Sequence, residues 1–424
     1  MKLKQYFWIT LLVVIFNPSY QNTLAETNIR YPIEDPTGKA LSKFYRNLTY
    51  TLTKTNSKEY SSTTRILHYG DSHVSADILT AELRNQFQAN FGDAGAGFIL
   101  AGKPWTWYAR KNVTTSLSKG WQVNGLSQSE LLTDGNLGLA GISFTSEQKN
   151  QTTTLTATGR YFDIYLLKQP NGGTVDVLLD GLKYRQRVSL DSDTYQATYV
   201  KVLAEANSTH TININTIRPG QVRVLGIDVR QDKGGVIYDA LGINGARASR
   251  PSLWNWDILS SNLAYSRPNL IVIAYGSNEV TDADLDLKEY QKNFSKLLQN
   301  FQQAAPQAAL LVVSPPDRAI QIDGVWQTCS AMPALVEAQR QAALSNGVAF
   351  WDLFHAMGGI GSIHKWARDP TPFAQADHVH LTKPGYQLVA QTLYSELAKG
   401  YFSYLKQSYL DQQTSYHWPC LNIF

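Results

Sequence analysis

Apolar residues in this chain keep two different rhythms, and the rhythm changes twice. From Ile66 the sequence runs ILHYGDSHVSADILTAELRNQFQANFGDAGAGF. A short apolar run breaks at Gly70-Asp71-Ser72, and Leu79, Leu83, Phe87 and Phe91 follow at intervals of four, the spacing of a strand, a tight turn and an amphipathic helix. Between residues 105 and 230 helical spacing gives way to short alternating runs rich in Thr, Val, Tyr and Ile, at 161–166, 175–179, 199–202 and 211–217. Pro170-Asn171-Gly172-Gly173 and Asp180-Gly181 place turns between them, so this block reads as a β-sandwich. From residue 235 the first rhythm returns. The continuous apolar runs at 270–274 (LIVIA), 310–313 (LLVV) and 348–351 (VAFW) suit strands buried on both faces of a parallel sheet. Helical patterns fall between and after them: Leu287, Tyr290, Phe294, Leu297 and Phe301, then 335–344, then 384–399. A further helix is expected over 40–50. The pattern predicts one α/β domain made of residues 26–103 and 232–424, split by an inserted sandwich at 104–231.

Residues 1–25 stand apart. Lys2 and Lys4 precede the apolar run 7–16, and Thr23-Leu24-Ala25 offers small residues for cleavage, the pattern of a secretory signal peptide. The run is too short to cross a bilayer comfortably, so the expectation is an exported chain with no stable membrane span after cleavage. The formal charge of +4 falls to +2 once Lys2 and Lys4 are removed, and no dense basic run carries interleaved aromatics, which excludes nucleic acid as a partner. Cys329 and Cys420 are too few and too far apart for a metal site of the CxxC kind; one disulfide or two buried thiols both fit.

Four blocks at predicted strand ends carry chemistry: Gly70-Asp71-Ser72-His73, Gly242-Ile243-Asn244-Gly245-Ala246, Gly276-Ser277-Asn278-Glu279 and Asp377-His378-Val379-His380. In open α/β sheets, ligands bind outside the carboxyl ends of the strands. Taken singly, Ser72 or Asp71 suits a helix cap, Gly245 a turn, Asn278 a cap and His380 a satisfied loop histidine. Together they supply a hydroxyl nucleophile, an unobstructed backbone N–H, a carboxamide donor, and a carboxylate with an imidazole, the parts of an acyl-transfer site.

This order of blocks resembles the SGNH, or GDSL-like, hydrolase superfamily, with its three-layer α/β/α parallel sheet. The resemblance implies Ser72 as nucleophile, His380 as general base oriented by Asp377, and an oxyanion hole formed by the Ser72 N–H, Gly245 and Asn278, with His378 a bystander. The details YGDSH, FGDAGAGF, LGINGA, AYGSNE, FWDLFHAMGG and DHVHLTKPGY are similar to the bacterial peptidoglycan O-acetylesterase branch, which carries a carbohydrate-binding-module-like sandwich after its first βα unit. His73 and Glu279 depart from the broader pattern, which has Leu and Asp there. The resemblance implies a periplasmic serine esterase that removes O-acetyl groups from the muramoyl C6 hydroxyl, with no cofactor and no metal. Trp105, Trp107, Trp326, Trp351 and Trp366 lie near the motifs and offer sugar-stacking faces, Trp351 being the better candidate for core packing. Two other readings remain open: acetyl transfer or deacetylation of another polysaccharide with the same triad, and a catalytically silent glycan-binding protein.

Overall fold

The computed structural model describes residues 31–54, 62–106, 108–125 and 134–414; the expected signal peptide, Trp107 and Cys420 lie outside the described residues. The chain forms α1 (Ser42–Lys54), β1 (Thr63–Gly70), the single turn α2 (Ser72–Ser75) and α3 (Leu79–Phe91). The β-rich block follows as β2 (Gly97–Ile99), β3 (Val113–Leu117), β4 (Gln122–Asn124), β5 (Ser143–Ser146), β6 (Thr152–Lys168), β7 (Thr174–Leu179), β8 (Tyr184–Ser189), β9 (Gln196–Arg218) and β10 (Val222–Arg230). β11 (Gly235–Gly242) re-enters the α/β part, and α4 (Trp256–Ser266), β12 (Leu270–Ala274), α5 (Leu287–Ala304) and β13 (Ala309–Val313) come next. A hairpin of β14 (Ala319–Ile322) and β15 (Val325–Thr328) precedes α6 (Met332–Ser345), β16 (Ala349–Trp351), α7 (Leu353–Ala356), α8 (Ser362–Arg368) and α9 (Lys383–Thr414).

Five parallel strands run in the order β11-β1-β12-β13-β16. Their apolar runs have no polar alternation because each face meets its own core. On one side Ile66, Val272, Leu311 and Trp351 pack with Phe44, Phe87, Tyr394 and Leu397 of α1, α3 and α9. On the other, Leu67, Tyr69, Ile273 and Phe350 pack with Leu263, Leu298 and Leu335 of α4, α5 and α6. The result is the three-layer parallel architecture expected.

Hydrogen bonding joins the nine strands of the β-rich block into one sheet, in the order β4-β5-β10-β6-β9-β7-β8, with β2 on β10 and β3 on β6. The long β6 and β9 pass through a register shift at Gly159/Tyr161. Below the shift, Leu155 and Ala157 face the core while Thr154, Thr156 and Thr158 face outward and bond to Asn213, Thr211 and Thr209 across the strand pair. Above it, residues 162–167 of β6 are buried on both faces. The block is not a body apart. β2 lies on the α/β side of the expected boundary at residue 104 yet pairs with β10, and the second apolar core runs unbroken from Tyr69 into Phe98, Ile164, Tyr165 and Val224. Polar ties follow the same seam. Arg65 of β1 meets Asp228 of β10 at 2.5 Å, and the Tyr265 hydroxyl donates to Asp163 at 2.9 Å while its ring stacks on Tyr199 at 3.7 Å.

The last helix extends past Lys399, where its end was expected. Gly400 looks like a stop signal, but a Cβ there would come within 2.2 Å of the Tyr45 hydroxyl; the glycine lets α1 cross α9 closely. The apolar stripe continues through Tyr401 and Leu405.

Candidate active site

β1 is the middle of three adjacent strands, so whatever follows it is flanked by the loops after β11 and β12. Gly70 ends the strand in pairing with Gly242 and Ala274. A Cβ on Gly70 would lie 2.5 Å from Val74 Cγ2 and 2.6 Å from the Ala274 carbonyl, so only glycine permits the turn. Asp71 then caps it: its carboxylate accepts the His73 N–H at 3.0 Å, and its carbonyl accepts those of Val74 and Ser75. Ser72 opens the turn, half-buried.

His380 Nε2 lies 3.0 Å from Ser72 Oγ, and its Nδ1 lies 2.7 Å from Asp377 Oδ2. The other carboxylate oxygen accepts the Val379 and His380 backbone N–H groups at 2.9 and 3.0 Å. One oxygen therefore shapes the loop while the other orients the ring, which puts the Nδ1 proton toward Asp377 and leaves Nε2 to accept the Ser72 hydroxyl. Burial tends to raise the Asp377 acid, but the hydrogen bonds from His380 and the two backbone groups outweigh it and hold the carboxyl below its ordinary value.

His378 points elsewhere. Its backbone is left-handed, at φ 54°; its ring stacks on Trp326 at 3.9 Å, and Nε2 meets His364 Nδ1 at 2.9 Å. The structure thus brings His380, and not His378, to Ser72. His73 sits beside His380, ring centroids 5.5 Å apart, with Nδ1 on the Tyr386 hydroxyl at 3.0 Å. Burial lowers its pKa against the opposing pull of Asp71, so a neutral ring is kept next to the His380 imidazole.

On the flanks, Asn278 does not cap the short helical turn after it; its carboxamide donates to the Ala246 carbonyl at 2.9 Å. Gly245 is exposed at φ 68° with nothing within 4 Å of where a Cβ would stand, so its N–H has no side chain in the way. The two loops lie on either side of the serine turn: Ile243 N–H donates to the Gly70 carbonyl at 3.0 Å, and Ser75 Oγ donates to Asn244 Oδ1 at 2.6 Å. Arg318 holds the Ser277 carbonyl at 2.5 Å. Asn244, Arg318, Tyr386 and the role of Glu279 were missed from the sequence. Asn244 and Glu279 stood inside quoted blocks, whereas a bond from Arg318 to a backbone carbonyl leaves no pattern to find.

Among the described residues, no group of three or more His, Cys, Asp and Glu side chains is placed to hold a metal ion, and no helix is long and apolar enough to cross a membrane. Cys329 is a buried free thiol. Trp351 is fully buried and donates to the Tyr31 carbonyl, and Trp105 packs on Tyr108. Trp326 and Trp366 are partly exposed.

Residues 191–388 match the GDSL-like Lipase/Acylhydrolase family. The match begins inside the β-rich block and takes in Gly245, Asn278, Asp377 and His380; Ser72 lies upstream, beyond the intervening strands. Over that stretch the chain is similar to the GDSL-like hydrolases. That match marks the chain as a carboxylic ester hydrolase, hereafter the hydrolase. A solved peptidoglycan O-acetylesterase has a TM-score of 0.73 to it at 24% identity, covering 88% of this chain and 99% of its own, a likeness that establishes the fold across both sheets. A family two carbohydrate esterase from Cellvibrio japonicus aligns at 15% identity and TM-score 0.28, over 69% of this chain and 99% of its own. An acetyl xylan esterase aligns at 20% and 0.30, over 39% and 81%. Those two are too loose to bear on this fold. No curated protein matches the hydrolase in sequence.

Proposed function

We propose that the hydrolase removes O-acetyl groups from the muramoyl C6 hydroxyl of peptidoglycan, in the periplasm, through an acetyl-enzyme. The observation that carries the reading is the hydrogen-bonded series Ser72–His380–Asp377, the serine from the turn after β1 and the other two from the loop between α8 and α9, not from a strand end as the sequence suggested. Ser72 Oγ attacks the acetyl carbonyl as His380 Nε2 takes its proton; the tetrahedral oxyanion is met by the Ser72 and Gly245 N–H groups and the Asn278 carboxamide. Collapse breaks the bond to the sugar oxygen, which leaves with the proton from His380. Water then repeats the sequence on the acetyl-serine and releases acetate. His73, neutral and hydrogen-bonded to Tyr386, adds no competing charge beside the imidazolium.

Peptidoglycan is the choice favoured by the likeness to a solved peptidoglycan O-acetylesterase and by the quoted motifs. The β-rich block, read as a carbohydrate-binding-module-like sandwich, would hold the polymer. The test is acetate release from O-acetylated sacculi beside chemically de-esterified sacculi and acetylated xylan. Faster release from xylan would move the substrate to another polysaccharide, net acetylation of sugar from a donor ester would make it a transferase, and no release from any of them would leave the non-catalytic glycan-binding reading.

Asn278→Ala is expected to lower kcat with little change in KM, because the carboxamide meets full negative charge only in the transition state. One such donor contributes about 3 kcal/mol, or about 100-fold. Steady-state kinetics on p-nitrophenyl acetate would show it; an effect confined to KM would remove Asn278 from the oxyanion site.

A further inference from the structure

Asn278 and Glu279 grip the same strip of backbone. Asn278 Nδ2 donates to the Ala246 carbonyl at 2.9 Å, and Glu279 Oε1 accepts the Ala248 N–H at 2.7 Å. Between them, Arg247 pairs with Asp282. This strip follows directly on Gly245, and nothing would pack against a side chain there. The direction of the Gly245 N–H is therefore set by what holds its neighbours: the Ile243 bond to Gly70 before it, the Ala246 N–H bond to the Ile243 carbonyl across it at 3.0 Å, and the Asn278 and Glu279 bonds that anchor the strip after it.

Glu279 is an expensive choice for a merely packed position. The residue is 4% exposed, and Oε2 is buried with no partner. Burial, with Asp71 adding, pushes its acid up to about 7 against the Ala248 hydrogen bond and Arg247. Tyr275 and Tyr290 also face it, from the end of β12 and from α5. An apolar side chain of similar size would avoid the desolvation cost of a carboxyl. It would not hold the Ala248 N–H. Beside this strip opens a cavity of about 630 Å³, lined by Arg247, Ala248 and Glu279 on one side and by residues 282–286 on the other, so the strip has no packed wall of its own on that face.

We propose that Glu279 is a positioning residue for ester cleavage, its carboxyl oxygen clamping the Ala248 N–H so that the Gly245 N–H and the Asn278 carboxamide keep a fixed spacing opposite Ser72. The inference rests on the serine-esterase reading above. It also carries a pH signature. The folded-state value lies above the ordinary Glu value, so the ionised form is the one that folding disfavours. Stability from this group is fully present below the ordinary value and is lost as pH rises toward and through about 7.

The test uses the full chain with Glu279→Gln, Glu279→Asp and Glu279→Ala, measuring kcat and KM on p-nitrophenyl acetate and Tm at pH 5 and pH 8. Asp is one methylene short of the Ala248 N–H and Ala has no acceptor, so both are expected to lose about 10- to 100-fold in kcat with KM nearly unchanged. Gln keeps an acceptor oxygen, recovers most of kcat, and gains Tm at pH 8 relative to wild type but not at pH 5. A purely structural role would not separate kcat from KM in this way or be rescued by Gln. Should Ala not fold, the comparison of Asp with Gln decides. Wild-type kcat in Asp, a Gln variant as impaired as Asp, or losses confined to KM would each overturn the proposal. Ser72→Ala separates the two levels: full activity in that variant overturns the esterase reading itself, whereas an inactive Ser72→Ala beside unaffected Glu279 variants overturns only the positioning role.

Discussion

Ser72→Ala is expected to lose about 10⁴- to 10⁶-fold in kcat on p-nitrophenyl acetate, the range found when a serine-hydrolase nucleophile is removed. KM and Tm should stay close to wild type. The Ser72 side chain makes its hydrogen bond to His380 at a half-buried position, so its removal opens no core cavity. His380→Ala should be comparably severe, since hydroxyl and imidazole act as one unit on the same proton. Asp377→Asn should be severe but less so: the amide can still accept a loop N–H, but loses the charge that steadies the imidazolium. His378→Ala is the internal control. That ring stacks between Trp326 and His364 and touches neither Ser72 nor Asp377 through a hydrogen bond, so its loss should appear in Tm far more than in kcat. Equal kcat losses at His378 and His380 would mean the wrong imidazole had been assigned as base.

Excising residues 104–231 and joining the flanks through a short Gly/Ser linker is expected to abolish the folded state, not merely activity on polymer. By its sequence alone the block looked separable, with ends that inserted domains usually keep close together. The shared core argues otherwise. Removal strips Asp228 from Arg65, leaving that guanidinium with Asp239 at 3.7 Å inside the protein; breaking one partner out of a buried pair costs about 3–5 kcal/mol. Tyr69 loses the Leu139 carbonyl that accepts its hydroxyl, and Tyr265 loses both Asp163 and its stack on Tyr199. Asp77, just past the serine turn, loses Arg110. Against a total stability of about 5–15 kcal/mol for a domain, the ion-pair loss alone takes a large share of the margin, and exposing the apolar face of Leu67, Tyr69 and Leu263 adds to it. Circular dichroism and thermal melting of the deletion decide it. A cooperative melt with retained p-nitrophenyl acetate hydrolysis would show that the α/β part stands alone.

How much could be read in advance depended on how local each feature is. The turn at Gly70-Asp71-Ser72 and the Asp377-x-x-His380 loop are built from hydrogen bonds spanning two or three residues, and such patterns survive in a linear string. β12, β13 and β16 announced themselves because burial on both faces leaves continuous apolar runs, and β1 showed as the short run at 66–69, whereas β11, interrupted by the buried Asp239, was marked only by the block at its end. What stayed hidden is pairwise and distant. His73 looked like a variant of a motif position, and its contact with Tyr386 spans most of the chain. Gly400 carried the mark of a helix end because sequence shows the missing side chain but not the tyrosine that occupies its place. The β-rich block read as a unit because strand periodicity reports pairing within it; the faces of β6 and β10 that turn toward α4 and β1 carry the same apolar residues as an internal core would.

The path of the chain has a consequence for the order in which these parts form. β1 must pair with β11, Thr63 beside Gly235, although the whole β-rich block separates them. Closing so long an unstructured loop costs roughly 2 kcal/mol more than closing an ordinary crossover of some 20 residues, at about 0.6 kcal/mol per doubling of length. β2 and β10 lower that cost: once Gly97 lies beside Val229 and Ile99 beside Ile227, the entry and exit of the block are neighbours, and the span left to close shrinks to residues 71–96 and 231–234. As the chain is synthesised, the antiparallel sheet can assemble before the last strands of the parallel one exist. The serine turn would then wait, present but unflanked, until β11 returns to carry Gly245 to its side.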